Sequence, residues 1–544
     1  MKKAGWVGMT FLLAISLMTA GCGGGGSDAG SSDEVQQVLK LNLSNGEPTS
    51  IDPAKAFDDD SMEVVNNLFE GLTRLDKNHQ PKPAVAERIE ESEDGLTYTF
   101  HLRDNAKWSN GEPVTAEDFE YAWKRVMDPE TASSASHLMF FIKNAEDYNE
   151  GKASVDEVGV EAKDDKTLVV ELEEPTPFFV QLTAYTPFAP VYKKGVEGEK
   201  NPFGAAKGYV SNGPFKIKSW KHDDKIVAEK NEHYREADRV QLATIQWKMV
   251  TEATTAYQMY QSGELHMGEA PGEIPTDLTP RLIENGKAQV TDSSGLEFYR
   301  FNVEEEPFTN KKIRKAFALA IDRKAIVEQV VQGGQKPAYA FVAPGTVSRA
   351  GDFRKNGKDY VQDDQIEQAK QLLKEGMEEE GWEKLPKVTI LYNSDDKHKK
   401  VAEAIQEMWR KHLSADVELQ SREVKVYFDD QKSGNYVVSR SSFLPDYNDP
   451  YNYLESFQSD HSMNRTGWRD EIYDQLLEQA RGETEEEKRM ELLHQAEARL
   501  LEEMPIFPLY YYNSVVIQKP GVKNILRHIV GPNDYRFAKI TSAE

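Results

Sequence analysis

Residues 97–119 read Thr-Tyr-Thr-Phe-His-Leu-Arg-Asp-Asn-Ala-Lys-Trp-Ser-Asn-Gly-Glu-Pro-Val-Thr-Ala-Glu-Asp-Phe. Apolar and polar side chains alternate over Thr97–Leu102, which predicts a strand. Asn110-Gly111 favours a tight turn. Thr115 is followed three residues later by Asp118, the spacing of a capping box, and so predicts the start of a helix. A strand, a turn and a helix in this order indicate an α/β protein.

The aromatic residues in and just after this stretch are predicted to be core. Phe119 and Trp123 fall on one face of the predicted helix, which ends at Asp128-Pro129. Large aromatic side chains such as these and Trp108 more often pack inside a protein than present a platform to a ligand. No chemical role is assigned to them.

Further strands and helices are predicted along the chain on both sides. Strands are expected over residues 38–44, 168–172, 226–229, 245–250, 388–392 and 508–512. Helices are expected over residues 62–69, 313–331 and 399–412, and as a pair within 472–503. The long charged faces of these helices are interpreted as solvated surface. Together these elements predict a mixed α/β body.

Length and charge restrict the class of protein. A chain of 544 residues exceeds what one hydrophobic core organises, so two or three domains are expected. Its 39% hydrophobic and 29% charged residues are typical of a soluble globular protein. The formal net charge of −26 repels phosphate backbones, so nucleic acid is not an expected partner.

The N-terminal residues predict export and lipid attachment. Lys2 and Lys3 precede an apolar segment, residues 7–18, that is shorter than the roughly 20 residues needed to span a membrane. Thr19-Ala20-Gly21-Cys22 resembles the lipobox of bacterial lipoproteins, although leucine usually stands where Thr19 does. Residues 1–21 are therefore expected to be a lipoprotein signal peptide, with Cys22 acylated and residues 22–34 forming a flexible tether. The alternative is an ordinary secretory signal with an incidental cysteine.

Five motifs resemble the solute-binding proteins of peptide ABC importers, that is, the oligopeptide- and dipeptide-binding proteins of bacterial extracellular solute-binding family 5. The longest motif is residues 99–119 of the stretch quoted above. The others, in the family's order, are Phe-Glu-Gly-Leu at 69–72, Ser-Asn-Gly-Pro-Phe at 211–215, Gln-Ser-Gly-Glu-Leu at 261–265 and Ile-Arg-Lys-Ala-Phe at 313–317. The resemblance covers nearly all of the chain after the tether.

The resemblance implies a fold and a function. The fold class is α/β, a three-domain periplasmic-binding-protein-like fold (type II, cluster C) with a two-lobed Venus-flytrap architecture. Domain I would comprise residues 35–69, 193–295 and 511–544, domain II residues 70–192, and domain III residues 296–510. Such a protein captures short peptides between its lobes by hinge closure and delivers them to the permease of an ABC transporter. It would be a monomer without a cofactor, held by its lipid at the extracytoplasmic face of the cell membrane.

The predicted ligand site lies in Arg-Ser-Ser-Phe-Leu-Pro-Asp-Tyr-Asn-Asp-Pro, residues 440–450. A short strand is predicted at residues 436–438, and Pro445 and Pro450 are expected to stop regular structure. Asp446 is thus expected on a loop that follows a strand, although the pattern also fits an ordinary turn. By resemblance, the Asp446 carboxylate binds the α-amino group of the peptide and is sealed from water.

Two cations are expected, again by resemblance, to receive the peptide carboxylate. Arg440 stands six residues before Asp446, and His398 follows the segment Tyr-Asn-Ser-Asp-Asp at 392–396. For Arg440, a salt bridge to a neighbouring acid remains an open alternative. For His398, the alternative is a solvated histidine at the start of a helix.

The predicted pocket departs from the family pattern at several positions. Phe443, a predicted ligand-binding residue, stands where the best-known oligopeptide binders have a tryptophan, and Val424 stands where they have another. Arg300 stands where some relatives have an acid, and it is predicted to bind ligand unless it pairs with Glu297 or Glu304. Fewer aromatic walls and one more cation predict shorter or more acidic peptides.

Other ligands and another class of protein remain as alternatives. Residues 441–446 are most similar to the dipeptide-importer branch, some of whose members take cell-wall tripeptides. A murein tripeptide, a nickel chelate or an oligosaccharide could occupy the same fold. A secreted peptide hydrolase is the different class, but the sequence has no phosphate loop, HExxH, GxSxG or paired CxxC motif. The chain is therefore predicted not to be an enzyme and to have no metal site.

Overall fold

The computed structural model describes residues 36–270 and 272–542. The predicted signal peptide, the tether and the acylated Cys22 lie outside these residues. None of the described helices combines the length and the apolar character needed to cross a bilayer.

Over the described residues the chain forms 21 β-strands and 16 α-helices, numbered in chain order. The strands are β1 Val38–Asn42, β2 Thr73–Leu75, β3 Pro81–Pro83, β4 Ala86–Glu91, β5 Thr97–Leu102, β6 Val160–Asp164, β7 Thr167–Glu171, β8 Phe215–Lys221, β9 Lys225–Lys230, β10 Thr244–Lys248, β11 Met267–Ala270, β12 Gln289–Phe301, β13 Lys336–Pro337, β14 Val347–Ser348, β15 Gly351–Asp352, β16 Val388–Asn393, β17 Val417–Arg422, β18 Val438–Phe443, β19 Ile506–Gln518, β20 Val522–Lys523 and β21 Lys539–Ile540. The helices are α1 Asp59–Leu68, α2 Ala116–Met127, α3 Ala145–Asn149, α4 Phe179–Leu182, α5 Lys193–Val196, α6 Ala253–Ser262, α7 Thr279–Glu284, α8 Lys311–Leu319, α9 Arg323–Ala325, α10 Phe353–Asn356, α11 Ile366–Glu380, α12 Asp396–Leu413, α13 Val424–Lys432, α14 Pro450–Glu455, α15 Glu471–Gly482 and α16 Glu486–Glu503.

The first sheet has four strands in the order β1-β10-β9-β8, with β1 and β10 parallel. Alternate residues of the parallel pair are buried, namely Leu39, Leu41, Ile245 and Trp247. Alternation of this kind is what a strand with one covered face requires. The strands predicted at both places are therefore confirmed.

The second sheet has four antiparallel strands in the order β4-β5-β7-β6, and α2 packs against it. Helix α2 begins at the predicted capping box of Thr115 and Asp118. Trp108, Phe119 and Trp123 are completely buried, and Trp108 Nε1 donates a hydrogen bond to Asp118 Oδ2 at 3.0 Å. The predicted core role of these aromatic residues is confirmed.

The third and largest sheet has the strand order β11-β19-β12-β18-β16-β17, with β13 also paired to β19. Strands β12 and β19 are each 13 residues long and run antiparallel. Strand β16 runs parallel to both β17 and β18. Parallel strands end at the same edge of a sheet, so the loops that follow β16, β17 and β18 come together there.

The helix predicted at residues 313–331 is interrupted. It consists of α8, then α9, then a π-helical turn over Ile326–Val331. Asp322 begins the second piece, because its Oδ1 accepts a hydrogen bond from the N–H of Ala325 at 2.8 Å. One continuous helix was thus the wrong prediction, since this aspartate caps a new helix instead of continuing the old one.

The structure also corrects the prediction around residues 440–450. Strand β18 extends to Phe443, well beyond the predicted strand at residues 436–438. Pro450 does not stop regular structure but is the first residue of α14, where a missing N–H costs nothing. Asp449 caps this helix by accepting a hydrogen bond from the N–H of Tyr451 at 2.8 Å. The predicted loop remains, and it covers residues 444–449.

The body is mixed α/β, as predicted. The limits of the three predicted domains stay a prediction, but two of them fall at one place in the third sheet. The limit at 295/296 lies inside β12 and the limit at 510/511 lies inside β19, and Leu296 pairs with Tyr511. The pairing of β12 with β19 is irregular between Asp292 and Leu296. Two neighbouring strands therefore cross the predicted limits side by side.

Candidate functional site

The loop of residues 444–449 is held by contacts with other parts of the chain. The N–H of Asn448 donates to Tyr185 Oη at 3.2 Å. The N–H of Asp446 donates to Asn452 Oδ1 on α14 at 2.8 Å. Tyr447 stacks on Phe178 with ring centroids 4.6 Å apart. The backbone that carries Asp446 is thus fixed from several sides.

The Asp446 carboxylate is accessible and has one ion-pair partner in the described residues. Its side chain is 42% exposed, and its Oδ2 lies 3.7 Å from Nε2 of His137 in a 3₁₀ turn, Ser136–Met139. The nearby Asp446 carboxylate raises the pKa of His137, and burial of the ring opposes this. Asp446 is therefore not sealed from water in this conformation, contrary to the expectation for the loaded site. An ionised carboxylate has room for further donors.

A second carboxylate, that of Glu455 on α14, lies near Asp446. Burial raises the pKa of Glu455 to about 7, and the charge of Asp446 adds to the effect. Asn452 Nδ2 and Tyr447 Oη both donate to Glu455 Oε1, at 2.9 and 3.0 Å, and oppose the shift. Near neutral pH, Glu455 is therefore partly protonated.

Asp449, the other acid of the 440–450 stretch, is structural. Its two carboxylate oxygens accept hydrogen bonds from Arg489 at 2.7 and 3.1 Å, and both side chains are buried. The same carboxylate caps α14. Asp449 is therefore buried and engaged by protein donors, so it is not offered to a ligand.

Arg440 forms a buried ion pair with Glu297 of β12. Nε and Nη2 of Arg440 each lie 2.6 Å from one oxygen of Glu297, a bidentate contact, and Tyr512 Oη donates to Glu297 Oε2 at 2.6 Å. The side chains of Glu297 and Arg440 are 1% and 11% exposed. Burial opposes ionisation of both groups, yet their attraction prevails, so the pKa of Glu297 is lowered and that of Arg440 raised. The salt bridge that the sequence left open is present, and the ligand role of Arg440 stays a prediction.

His398 lies in the first turn of α12, beside a cation that sequence reasoning missed. Asp395 caps α12 by accepting hydrogen bonds from the N–H groups of Lys397 and His398, both at 2.9 Å. The Lys397 ammonium lies 5.4 Å from the ring centroid of Tyr510 and has no salt bridge in the part of the chain described. Burial and the charge of Arg440 lower the pKa of both Lys397 and His398, whereas Glu297 opposes the shift.

Phe443 and Arg300 lie in neighbouring strands of the third sheet. Phe443 is half-buried and packs against Tyr453, with ring centroids 4.9 Å apart. Arg300 is buried, and its Nε donates to Ser441 Oγ at 2.7 Å. It pairs with neither Glu297 nor Glu304, so that alternative for Arg300 was wrong.

One edge of the third sheet brings these predicted residues together. Asp446 follows β18, Lys397 and His398 follow β16, and α13 follows β17 with an exposed apolar side. Ligands of α/β sheets bind at the carboxyl ends of parallel strands. A carboxylate, the Lys397 ammonium and apolar side chains at one edge suit a zwitterionic ligand with side chains of its own.

His137, Glu455 and Lys397 were not predicted. Lys397 directly follows the Tyr-Asn-Ser-Asp-Asp segment that pointed to His398, so the same signal could have included it. His137 lies three residues after Ser134, and no local pattern in that stretch marks it as a site residue. No local pattern marks Glu455.

Other concave or polar features lie apart from this edge. A cavity of about 510 Å³ is lined by residues 47–52 and by Trp220, and the ion pair of Asp52 with Arg125 forms part of its wall. It shares no lining residue with the surface around Asp446. In the described residues, no three histidine, cysteine, aspartate or glutamate side chains are grouped to hold a metal ion.

Comparison with known proteins gives a match over most of the chain. The family described as bacterial extracellular solute-binding proteins, family 5 Middle, matches residues 80–465. The dipeptide-binding protein DppE of Bacillus subtilis (strain 168) is 46% identical over 542 residues, which are 99% of this chain and 99% of that protein.

Two solved structures are similar over nearly the same length. One is the periplasmic murein tripeptide-binding protein MppA in its unliganded open form, with a TM-score of 0.82, 33% identity, and coverage of 93% of this chain and 98% of that one. The other is Listeria monocytogenes OppA bound to peptide, with a TM-score of 0.70, 32% identity, and coverage of 94% and 100%. The higher score to an open form agrees with the exposure of Asp446.

Proposed function

Because this chain belongs to the bacterial extracellular solute-binding proteins of family 5, we propose that it captures short peptides and delivers them to the permease of an ABC transporter. Relatives named for binding dipeptides and oligopeptides, similar over almost their whole length, support this proposal. The expected α/β, two-lobed solute-binding fold is confirmed by the solved neighbours.

The single observation that carries the proposal is the accessible Asp446 carboxylate at the carboxyl edge of the third sheet. The α-ammonium of a peptide would replace His137 as its partner. Lys397 and His398 would receive a carboxylate of the peptide, since Arg440 is engaged by Glu297. Side chains of different peptides would be accommodated through bridging water, which is nearly as favourable as a direct hydrogen bond.

Closure of the lobes would complete the site. The predicted domain limits meet at the pair Leu296 and Tyr511, so a bend of β12 and β19 at this point would move one lobe toward the other. Closing the lobes would seal Asp446 from water. A sealed Asp446 carboxylate left without an ammonium would cost about 3–5 kcal/mol, so the contact would select peptides with a free amino group.

The proposal also covers the location and the oligomeric state of the protein. Its relatives are extracellular and periplasmic solute-binding proteins. Attachment to the outer face of the cell membrane through acylated Cys22, by more than one acyl chain, belongs to the proposal, as does a monomer without catalytic activity. The contact between Asp446 and the peptide ammonium would then hold the peptide until it is delivered, and no chemical step would follow.

A murein tripeptide is the second candidate ligand. The observation that favours it is the similarity to MppA, which is named for binding murein tripeptide. It carries an amino group and carboxylates like the other peptides, so it would use the same contacts. Direct comparison with ordinary tripeptides in one binding assay separates the two candidates.

The proposal is tested with Asp446→Asn and, as a matched control, Asp460→Asn, which alters a carboxylate that is 90% exposed on the surface. Calorimetric titration with di-, tri- and tetrapeptides is expected to give binding by the wild type. Asp446→Asn should weaken it at least 100-fold, a loss of about 3 kcal/mol. N-acetylated peptides should bind the wild type equally poorly, and Asp460→Asn should bind like the wild type. Unchanged affinity in Asp446→Asn would contradict the proposal, and turnover of the bound peptide would favour a hydrolase.

A further inference from the structure

Three arginines around the third sheet are almost fully buried, and two of them are well satisfied. A guanidinium carries five N–H donors and stays charged, so its burial requires acceptors. Arg314 makes four hydrogen bonds to backbone carbonyl oxygens, two of them to Glu503. Arg323 makes three such bonds and a fourth to the carboxylate of Asp363.

Arg300 is the exception. It is 4% exposed, yet it makes only two hydrogen bonds, from Nε to Ser441 Oγ at 2.7 Å and from Nη1 to the carbonyl of Met463 at 3.0 Å. Its guanidinium carbon lies 5.3 Å from the ring centroid of Phe298. Burial lowers the pKa of Arg300, and no carboxylate is among the groups that act on it. Within the described residues, its charge has no negative partner.

A second cation, Arg465, adds to the uncompensated positive charge. Arg465 lies close enough to lower the pKa of Arg300 further. Nη1 of Arg465 donates to Gln431 Oε1 at 3.2 Å, while its Nε is buried without a hydrogen-bond partner. No acid of the described chain forms a salt bridge with Arg465 either. Two neighbouring positive charges that are largely withdrawn from water lack the counter-charge that would stabilise them.

Arg300 lies in β12, which pairs with β18, the strand whose following loop carries Asp446. Arg300 bonds to the carbonyl of Met463 and Arg465 lies over the ring of Phe428, and these two residues are 38% and 50% exposed. Ser441, the partner of Arg300, is five residues from Asp446, so at most about 18 Å separates their Cα atoms. An extended tetrapeptide spans about 13 Å before its side chains are counted. This length is of the same order as the upper limit, so both contacts are assigned to one peptide.

We propose that Arg300 and Arg465 form a receptor for the carboxylate of an acidic side chain of the bound peptide. Gln431 and Ser441 hold the two guanidiniums from behind. The inference rests on the proposed function and names its substrate class, namely short peptides that carry an aspartate or glutamate side chain. A small inorganic anion such as chloride offers the same charge, and the experiment separates the two sources.

The test uses pairs of tripeptides and tetrapeptides that differ only by glutamate or glutamine at one position. In the wild type, isothermal titration calorimetry is expected to show at least a tenfold preference for glutamate at one position. Arg465→Gln and Arg300→Gln should each reduce this preference for glutamate over glutamine below threefold. Arg469→Gln, which alters a surface arginine that is 68% exposed, should keep the preference. A wild type without any preference, or a preference that survives both substitutions, overturns the inference.

Two further readouts keep the outcome decisive. Arg300 is buried, so Arg300→Gln is interpreted only if it melts cooperatively, whereas Arg465→Gln changes a half-buried residue and carries the test by itself. Thermal melting in chloride and in gluconate tests the inorganic anion, and a Tm that rises with chloride together with no glutamate preference overturns the side-chain assignment. A wild type that binds no peptide refutes the proposed function, whereas equal binding of glutamate and glutamine peptides refutes only this inference.

Discussion

The ion pair of Arg440 with Glu297 joins two central strands of the third sheet, and removing one partner should be more costly than removing both. Breaking a buried pair on one side costs about 3–5 kcal/mol, because a charge is left uncompensated, while replacing both partners is often neutral. Arg440→Met leaves Glu297, which is 1% exposed, without its main partner, and should destabilise the protein by about 4 kcal/mol. Glu297→Met leaves an arginine that is 11% exposed and reaches some water, so about 3 kcal/mol is expected.

The double variant should recover much of this loss. It leaves only Tyr512 Oη without its acceptor, a cost of about 1–3 kcal/mol. The coupling energy of the cycle, the sum of the single losses minus the loss in the double variant, is then about 4–6 kcal/mol. Lys397, on which Glu297 acts, would reduce the loss in Arg440→Met if its ammonium moved toward the carboxylate.

The pH dependence of the stability loss in Arg440→Met gives an independent check of the reasoning. The folded-state pKa of Glu297 is depressed, so its contribution is present above its unfolded pKa of about 4.5 and is lost as pH falls through the lower folded value. In Arg440→Met the isolated carboxyl can take up a proton, and the loss should therefore be smaller at pH 4.5 than at pH 7.

Urea denaturation at both pH values measures these free energies by linear extrapolation. Arg410→Met is the matched control, because its pair with Glu407 lies on the surface and should contribute less than about 1 kcal/mol. A coupling energy below about 1 kcal/mol, or a loss in Arg440→Met that does not change with pH, would refute the reasoning.

Two other predictions concern stability. Burial lowers the pKa of His494 and of His528 to about 4, so between pH 6.5 and 4 both rings bind a proton only in the unfolded chain. The free energy of unfolding should therefore fall as pH falls through this range. Urea titrations of His494→Leu and His528→Leu should show a shallower fall, and an unchanged slope would contradict the assignment. A Cβ at Gly213 would lie 2.5 Å from the carbonyl carbon of Leu68, so thermal melting of Gly213→Ala should show a loss of about 1–3 kcal/mol or more. A Cβ at Gly482 would meet no atom within 4 Å, so Gly482→Ala should change stability by less than about 1 kcal/mol. Equal effects of the two substitutions would argue against the close approach at Gly213.

Elements with strong local signals could be predicted from the sequence. Strand β5 was predicted to the residue, and α2 began at its capping box, because alternation and capping are properties of neighbouring residues. The loop that carries Asp446 was also predicted, since Pro445 marks the end of a strand. The start of α14 at Pro450 was missed, because a proline can end one element or begin another.

Partners that are distant in sequence could not be predicted. Glu297 and Arg440 are 143 residues apart, and their contact depends on the register of β12 against β18. The approach of His137 to Asp446 depends on how the second and third sheets are placed, which no local pattern encodes. The missing counter-charge of Arg300 is likewise visible only when all its neighbours are known.

Before any peptide arrives, Asp446 lies beside His137 and raises the pKa of that ring. An incoming ammonium would take the place of the ring, whose pKa then falls back toward its ordinary value, so protonated rings would release their proton to the buffer. Peptide binding would then be accompanied by the release of protons. The heat of association would vary with the ionisation enthalpy of the buffer, and substituting His137 would remove that variation.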